Sequence, residues 1–510
     1  VERGSRSRAH CGETGVRSSQ IRTQRRHCIL NQAYLNQEER LARQTYFCIH
    51  AHFYQPLRGN PITGEIGPEP AATPFRNWNE RITQECYRPN AELGNLNAIS
   101  FNFGETLLSW MEKRHPDVYR MILDADRHHV ETYGVGNALA MPIHHTILPL
   151  SRQRDKRTQI AWAKAAFEMR FGRAPEGIWL PEMAVDLETL QVARELGFQF
   201  TVLAGGQIAT RRDEESEGSG PYWVALPNGE RIAVFVRNEK LSADLAFGIN
   251  NLGGAGRWAR HVLSPRRRHA GPLTLAAVDG ETFGHHHRGE YQFLRWLLSH
   301  EAEAVGYQIT TLARYLRENP PTRFVEIKER TAWSCYHGLA RWVTGCDCTP
   351  GFSGWKGALR RAMDKLAIEI DYLYANQVAH LGVDPWALRD GYISVVLGKE
   401  SGADYLGQVG LKLDAKEQMR VLDMLHAQYQ TQLMYSSCAF FFEDFARPEP
   451  QYAISNAAYA IHLMQRAADV DLAGPFRYDL AVVNGRGGVN GMQVYDEAAK
   501  ALEAAGSQAT

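Results

Sequence analysis

The feature that most constrains the fold is a change of hydrophobic period near residue 350. Up to about residue 320, short apolar runs alternate with segments whose apolar positions recur every three or four residues. Thr45–Phe53 (TYFCIHAHF) and residues 99–103, 178–180, 198–203 and 273–278 read as buried strands. Residues 106–124, 155–170, 186–196 and 291–298 have helical spacing, with Asp186 as a cap and Gly197 as a stop for the third. Asn228-Gly229 joins residues 223–226 to 231–236 and marks a hairpin. Such alternation needs crossovers between parallel strands, so this part predicts an α/β fold with a mainly parallel sheet, closed into a barrel. Beyond Gly351 only the helical period survives. Trp355, Leu359, Ala362, Leu366 and Leu373, then Leu422, Leu425, Tyr429 and Leu433, then Ile454, Ala458 and Ile461 trace the faces of a helical bundle. The stretch from Asp471 is rich in Gly and Ala and carries no period that places it.

These changes predict four regions: 1–44, 45–350, 351–470 and 471–510. Residues 1–44 hold nine Arg, four Glu and no Lys, and read as a basic, disordered leader or an organellar targeting segment without clear amphipathic spacing. In 510 residues, 57 basic and 57 acidic groups cancel, so nothing in the charge asks for nucleic acid or an anionic membrane. No apolar run is long enough to span a bilayer. Eight cysteines show no dense pairing pattern and read as reduced thiols in a cytoplasmic protein. Cys346-Asp347-Cys348 is the one close pair. With no second pair or regularly spaced His after it, no metal or other cofactor is expected.

Chemistry-bearing residues gather where the strand-like runs end. In a β/α barrel all such ends open onto one face. His50 and His52 are two apart in the first strand and share a side. Glu182 ends Trp179-Leu180-Pro181-Glu182, where the indole offers a sugar platform, although from these residues alone a surface helix-capping Glu is the better reading. Asp279 follows an uncharged apolar run, so it is either buried and paired or catalytic. Glu281 follows one glycine later. Of His285, His286 and His287, one or two can face a site, and of His144 and His145, one. Trp333, Ser334, Cys335, Tyr336, His337, Arg341 and Trp342 mix aromatic and polar groups at the domain junction, as either a sugar subsite or interdomain packing. The Pro-rich loop 57–90 is a candidate lid.

HAHFYQP, WLPE and DGETFGHH, in this order, resemble glycoside hydrolase family 57 over about residues 45–345. SFNFGETLLSW, HHTILPLSRQRDKRTQ, WSCYHGLARW and SSCAFFFEDF resemble a subgroup with a C-terminal helical domain of unknown function. The resemblance implies a distorted barrel of seven β/α units followed by that helical domain. It implies a retaining mechanism on α-linked sugars without a metal, with Glu182 as nucleophile and Asp279 as general acid/base. It implies substrate contacts from His50, His52, Gln55, His145, Trp179, His285, Trp333 and His337. Phe53 and Tyr54 interrupt the family's shorter first motif, which puts the role of Gln55 in doubt. The second motif has no clean match.

The expected activity is therefore a glycosidase or transglycosylase on an α-linked polysaccharide or oligosaccharide, α-glucan foremost. Two alternatives stand beside it. One is a metal-dependent polysaccharide deacetylase using His50, His52 and Asp279. The other is a non-catalytic carbohydrate-binding protein.

Overall fold

The computed structural model describes residues 44–209, 220–267 and 271–508. The expected leader, apart from Gln44, lies outside the described residues. The α/β part contains strands β1 (Thr45–Phe53), β2 (Ser100–Phe103), β3 (Phe200–Ala204), β4 (Tyr222–Ala225), β5 (Arg231–Arg237), β6 (Leu273–Asp279) and β7 (Tyr307–Ile309). β1 is the hub. It pairs in parallel with β6 along most of its length, with β2 at its C-terminal end and with β7 at its start. Single parallel bridges continue from Phe101 to Ala138, Ala140 to Ile178 and Gly177 to Phe200. β3 then pairs with β5, on which β4 folds back as the expected hairpin. Asn238, just past β5, donates its N–H to the Leu275 carbonyl of β6 at 2.7 Å.

Alternation along the strands decides what each face holds. Phe47, Ile49, Ala51 and Phe53 of β1 join Ala276 and Val278 of β6 and Phe101 and Phe103 of β2 in the core under the helices. The intervening Cys48 packs with Leu273, Leu275, Ala277, Phe200, Val202 and Phe235 on the other face. His50, His52, Asn102 and Asp279 share the parity of that second set. Register completes the arrangement, because His52 lies opposite Asn102 on one side and Asp279 on the other.

The helix expected over 106–124 is two helices, Glu105–Arg114 and Pro116–Tyr133. Pro116 has no N–H to offer the preceding turn and disfavours helical geometry in His115, which sits at φ −138°, ψ 61°. Gln153–Phe171 follows, and Asp186 caps Leu187–Glu195 by accepting the Thr189 N–H at 2.8 Å. Part of the expected loop 57–90 is helical, in Trp78–Ile82 and the turns after it. The C-terminal part is helical throughout, led by Trp355–Ala379, Ala415–Leu433 and Pro448–Ala468. The stretch without a legible period forms Ala473–Leu480 and Gly491–Gln508, and its Phe476, Leu480, Tyr495 and Leu502 enter the same core as Ile454 and Ile461. Among the described residues no helix is long and apolar enough to cross a membrane.

Candidate active site

Glu182 occupies a tight turn, Pro181–Met183, after residues 177–180. Glu182 (φ 58°) and Met183 (φ 49°) are both left-handed, as is His145 (φ 54°) on the neighbouring segment. Non-glycine residues persist in this region only where surroundings hold them, which is common at functional sites. The hold on Glu182 is visible. Trp333 donates its backbone N–H to the Glu182 carbonyl (3.1 Å) and its indole N–H to Oε2 (2.9 Å), and Ser334 donates its hydroxyl to the same oxygen (2.7 Å). Burial raises the carboxyl above its ordinary range, opposed by these two side-chain donors and by the Arg341 charge.

Asp279 is the last residue of β6. Burial pushes it up to about 8, reinforced by the negative charges of Glu281 and Glu182 and opposed by Arg237. Glu281 stands on the next turn, 5% exposed. It accepts the Tyr87 hydroxyl (2.7 Å), the Tyr54 N–H (3.2 Å) and the Gln55 amide (3.4 Å). Burial pushes Glu281 to about 7 against these donors. Gly280 between them packs on the Phe53 ring; a Cβ there would meet ring carbons at 2.1 Å. The glycine thus lets the chain turn two acids toward one region.

The histidines form a relay beneath. His50 Nε2 lies 3.0 Å and His52 Nδ1 2.9 Å from the Asn102 side chain. His52 Nε2 lies 3.1 Å from His145 Nε2, and His145 Nδ1 lies 2.6 Å from the Ser437 hydroxyl. Trp179 stacks on His50 (4.6 Å between centroids) and His52 (5.0 Å), and Tyr54 on His145 (3.9 Å). Burial lowers His50 and His52 to about 3 and His145 well below its ordinary value, so these rings are neutral at pH 7. Trp179 Nε1 and His50 Nδ1 are buried without a hydrogen-bond partner.

Most expected residues therefore converge: His50, His52, Gln55, His145, Trp179, Glu182, Asp279 and Trp333. Three corrections follow. Trp179 is fully buried under the imidazoles, so it floors the site and offers no open platform to a sugar. His285 is bonded to Glu85 at 2.7 Å, and His337 lies 3.4 Å from Cys348 Sγ. Neither has a polar contact to the carboxylates. The expectation that Cys346 and Cys348 lack companion ligands also fails. Folding brings Cys335 and His337 to them, and the four donor atoms all lie within 4.8 Å of one another. Conversely, His50 Nε2 and both ring nitrogens of His52 are turned onto Asn102 and His145.

Asn102 was not singled out as a site residue, whereas Glu281 was read only as the neighbour of Asp279 and Ser334 only as part of the junction segment. Ser436 and Ser437 open the SSCAFFFEDF stretch, which was read for the subgroup resemblance alone and not for a site role. They reach the site from the helical part, Ser437 through His145 and Ser436 through the Tyr54 hydroxyl (3.1 Å). A cavity of about 720 Å³ opens nearby between residues 56–80, Trp110 and Tyr429. His144 lines it; Glu182 and Asp279 do not.

A parallel α/β domain whose strand ends collect carboxylates, neutral imidazoles and indoles, closed on one side by a helical domain, defines the class of protein. Its family follows from the sequence match. Residues 26–328 match the model of glycosyl hydrolase family 57, and residues 353–507 match a domain of unknown function, DUF3536. The chain belongs to glycosyl hydrolase family 57. Among curated proteins it is similar to alpha-amylase 1 of Dictyoglomus thermophilum, 24% identical over 208 residues (41% of this chain, 28% of that protein). It is also similar to the 4-alpha-glucanotransferase of Thermococcus litoralis, 26% identical over 149 residues (29% and 22%). The match thus spans about a quarter of the length of these relatives. The fold is shared with an exo-type maltose-forming amylase from Pyrococcus sp. ST04 (TM-score 0.65, 16% identity, covering 89% of this chain and 88% of that one). It is shared too with a branching enzyme from Thermococcus kodakaraensis (TM-score 0.54, 16% identity, 89% and 94%).

Proposed function

We propose that the chain is a retaining enzyme acting on α-linked glucan, as a hydrolase or transglycosylase, with Glu182 as nucleophile and Asp279 as general acid/base. The observation that carries this reading is the contrast between the two carboxyl groups. Glu182 receives two neutral donors on one oxygen, which favours the anion that attacks a sugar. Asp279 is held protonated past neutrality, as an acid for the leaving oxygen must be.

The same contrast supports the second half of a retaining cycle. Glu182 and Asp279 raise each other's energy as anions. When Glu182 becomes esterified to the sugar, that charge disappears and Asp279 ionises more readily, so it can take a proton from water or an acceptor sugar. Glu281, itself pushed to about 7, sets how far Asp279 falls. The retaining reading requires the carboxyl groups to work about 5–5.5 Å apart. Contacts with sugar fall to the partly open Glu182, Asp279 and Trp333, with His52, Gln55 and His145 behind them. His285 and His337 are left out of the site, since their rings are engaged elsewhere. The parallel pairings from β6 through β1 and β2 to β5 support a seven-unit barrel, and we take 45–350 as the catalytic domain and extend the helical domain from 351–470 to 508, because residues 473–508 share its core.

The test is incubation with a panel of α-glucans and α-galactosides, with anomeric configuration read by NMR. Products with retained configuration, from hydrolysis or rearrangement, are expected. Inverted products, or release of acetate from acetylated glycans instead, would overturn the reading.

A further inference from the structure

We propose that Cys335, His337, Cys346 and Cys348 form a structural zinc site that staples the segment holding Glu182. The four residues lie between the α/β domain and the first long helix of the helical domain, in a stretch with only short turns and isolated bridges. A stretch of this length without regular structure is uncommon inside a compact domain and is usually functional.

The chemistry of the set suits Zn²⁺. Three thiolates and one imidazole make a closed four-ligand shell, which distinguishes a structural site from a catalytic one with an open position. Zinc with ligands at about 2.1–2.3 Å in a tetrahedron requires donors to stand roughly 3.5–3.8 Å from one another. Cys335 Sγ and Cys346 Sγ lie 3.5 Å apart, and Cys348 Sγ lies 3.4 Å from His337 Nδ1. Binding would displace three thiol protons to solvent and leave a complex of net charge −1. Cationic groups stand beside it. Buried Arg341 donates to the Cys348 carbonyl (3.1 Å), and fully buried Lys356 donates to the Arg341 carbonyl (3.0 Å). Arg341 and Lys356 thus link the cluster to the helical domain. Exposed His337 and the partly open Cys346 and Cys348 leave a path for the ion to enter.

Position gives the site its consequence. Cys335 directly follows Trp333 and Ser334, the two side-chain donors to Glu182, and bridges back to Ala332. Fixing Cys335 therefore fixes both donors. This consequence rests on the nucleophile reading of Glu182; the metal itself does not.

The experiment is elemental analysis of the full chain, with any affinity tag removed, after growth with added zinc. About one zinc per chain is expected, as for a structural site of this ligand set. A mercurial thiol reagent should release it to a chromogenic chelator. The reduced, metal-free chain titrated with Co²⁺ should show the visible absorption of tetrahedral thiolate coordination. Cys346→Ser/Cys348→Ser should abolish that absorption, and His337→Ala, which keeps three thiols, should shift it. Absence of zinc together with no Co²⁺ spectrum would overturn the site. So would a chain two hydrogens lighter with Cys335 joined to Cys346, which would make the cluster a disulfide centre. An unchanged spectrum in both variants would place the metal elsewhere and overturn it too. None of these readouts uses glycosidase activity, so failure here is distinct from failure of the proposed function.

Discussion

The surroundings of Glu182 and Asp279 differ in kind. Neutral donors from Trp333 and Ser334 converge on Glu182. Anions gather about Asp279, with Glu281 beside it and Glu182 within reach of its charge. Both groups are carboxyls at strand exits, and both are raised by burial. The lesson is that environment assigns the roles: donors favour one group as anion, and neighbouring charge keeps a proton on the other.

Exchanging the functional atoms breaks this comparison most severely. Glu182→Ala and Asp279→Ala should each lower kcat on a natural glucan by roughly 10³–10⁴-fold or more. Azide should distinguish them. Glu182→Ala should yield a glycosyl azide of inverted configuration, since azide enters in place of the nucleophile. Asp279→Ala should yield one of retained configuration, since azide intercepts the glycosyl-enzyme. The same configuration from both would remove the assignment.

The next largest effect is expected from the donors. Ser334→Ala should lower kcat by about 10-fold and move the acid limb of kcat/KM to higher pH, because a carboxylate that loses a donor binds its proton more tightly. A limb that stays in place would mean that Glu182 does not set it.

Glu281→Gln sharpens the other side. It removes the anion next to Asp279, so the alkaline limb of the profile should move down from about 8. No movement would show that Glu281 is neutral in the working enzyme, and movement upward would show that the charge of Glu281 on Asp279 does not set this limb.

The smallest effect is on stability. Asp279 is held near 8 when folded, against an ordinary value near 4, so the folded state binds more protons in that window. Stability should therefore fall as pH rises from about 4 to about 8. Asp279→Asn should remove part of that fall and stabilise the protein by about 1 kcal/mol at pH 8. Denaturant unfolding at pH 5 and pH 8 measures both. An equal or larger fall in the variant would mean that burial of Asp279 is not what costs stability.

Much of this was legible along the chain because the signals are local. Continuous apolar runs marked β1 and β6, and a period of three to four residues marked the helices after residue 350. Parity within β1 put His50 and His52 on one side, and the uncharged run before Asp279 marked that acid. Pro116 was equally local, yet its power to split a helix was outweighed by apolar spacing that continues through it. Residues 473–508 failed for a different reason: their apolar positions are sparse, and a helix forms there because a neighbouring helical core covers them.

By itself, then, the sequence determined the two architectures, the strand ends and the residue types gathered at them, since backbone geometry and hydrophobic spacing act over a few residues. Only the tertiary structure decided which groups meet. It brought Trp333 and Ser334 to Glu182, and Ser437 across to His145. It closed His337 onto Cys348, and it buried Trp179 beneath the imidazoles. Hydrogen bonds, charge and desolvation act through space over a few ångströms, and in a folded chain those few ångströms join residues far apart in sequence.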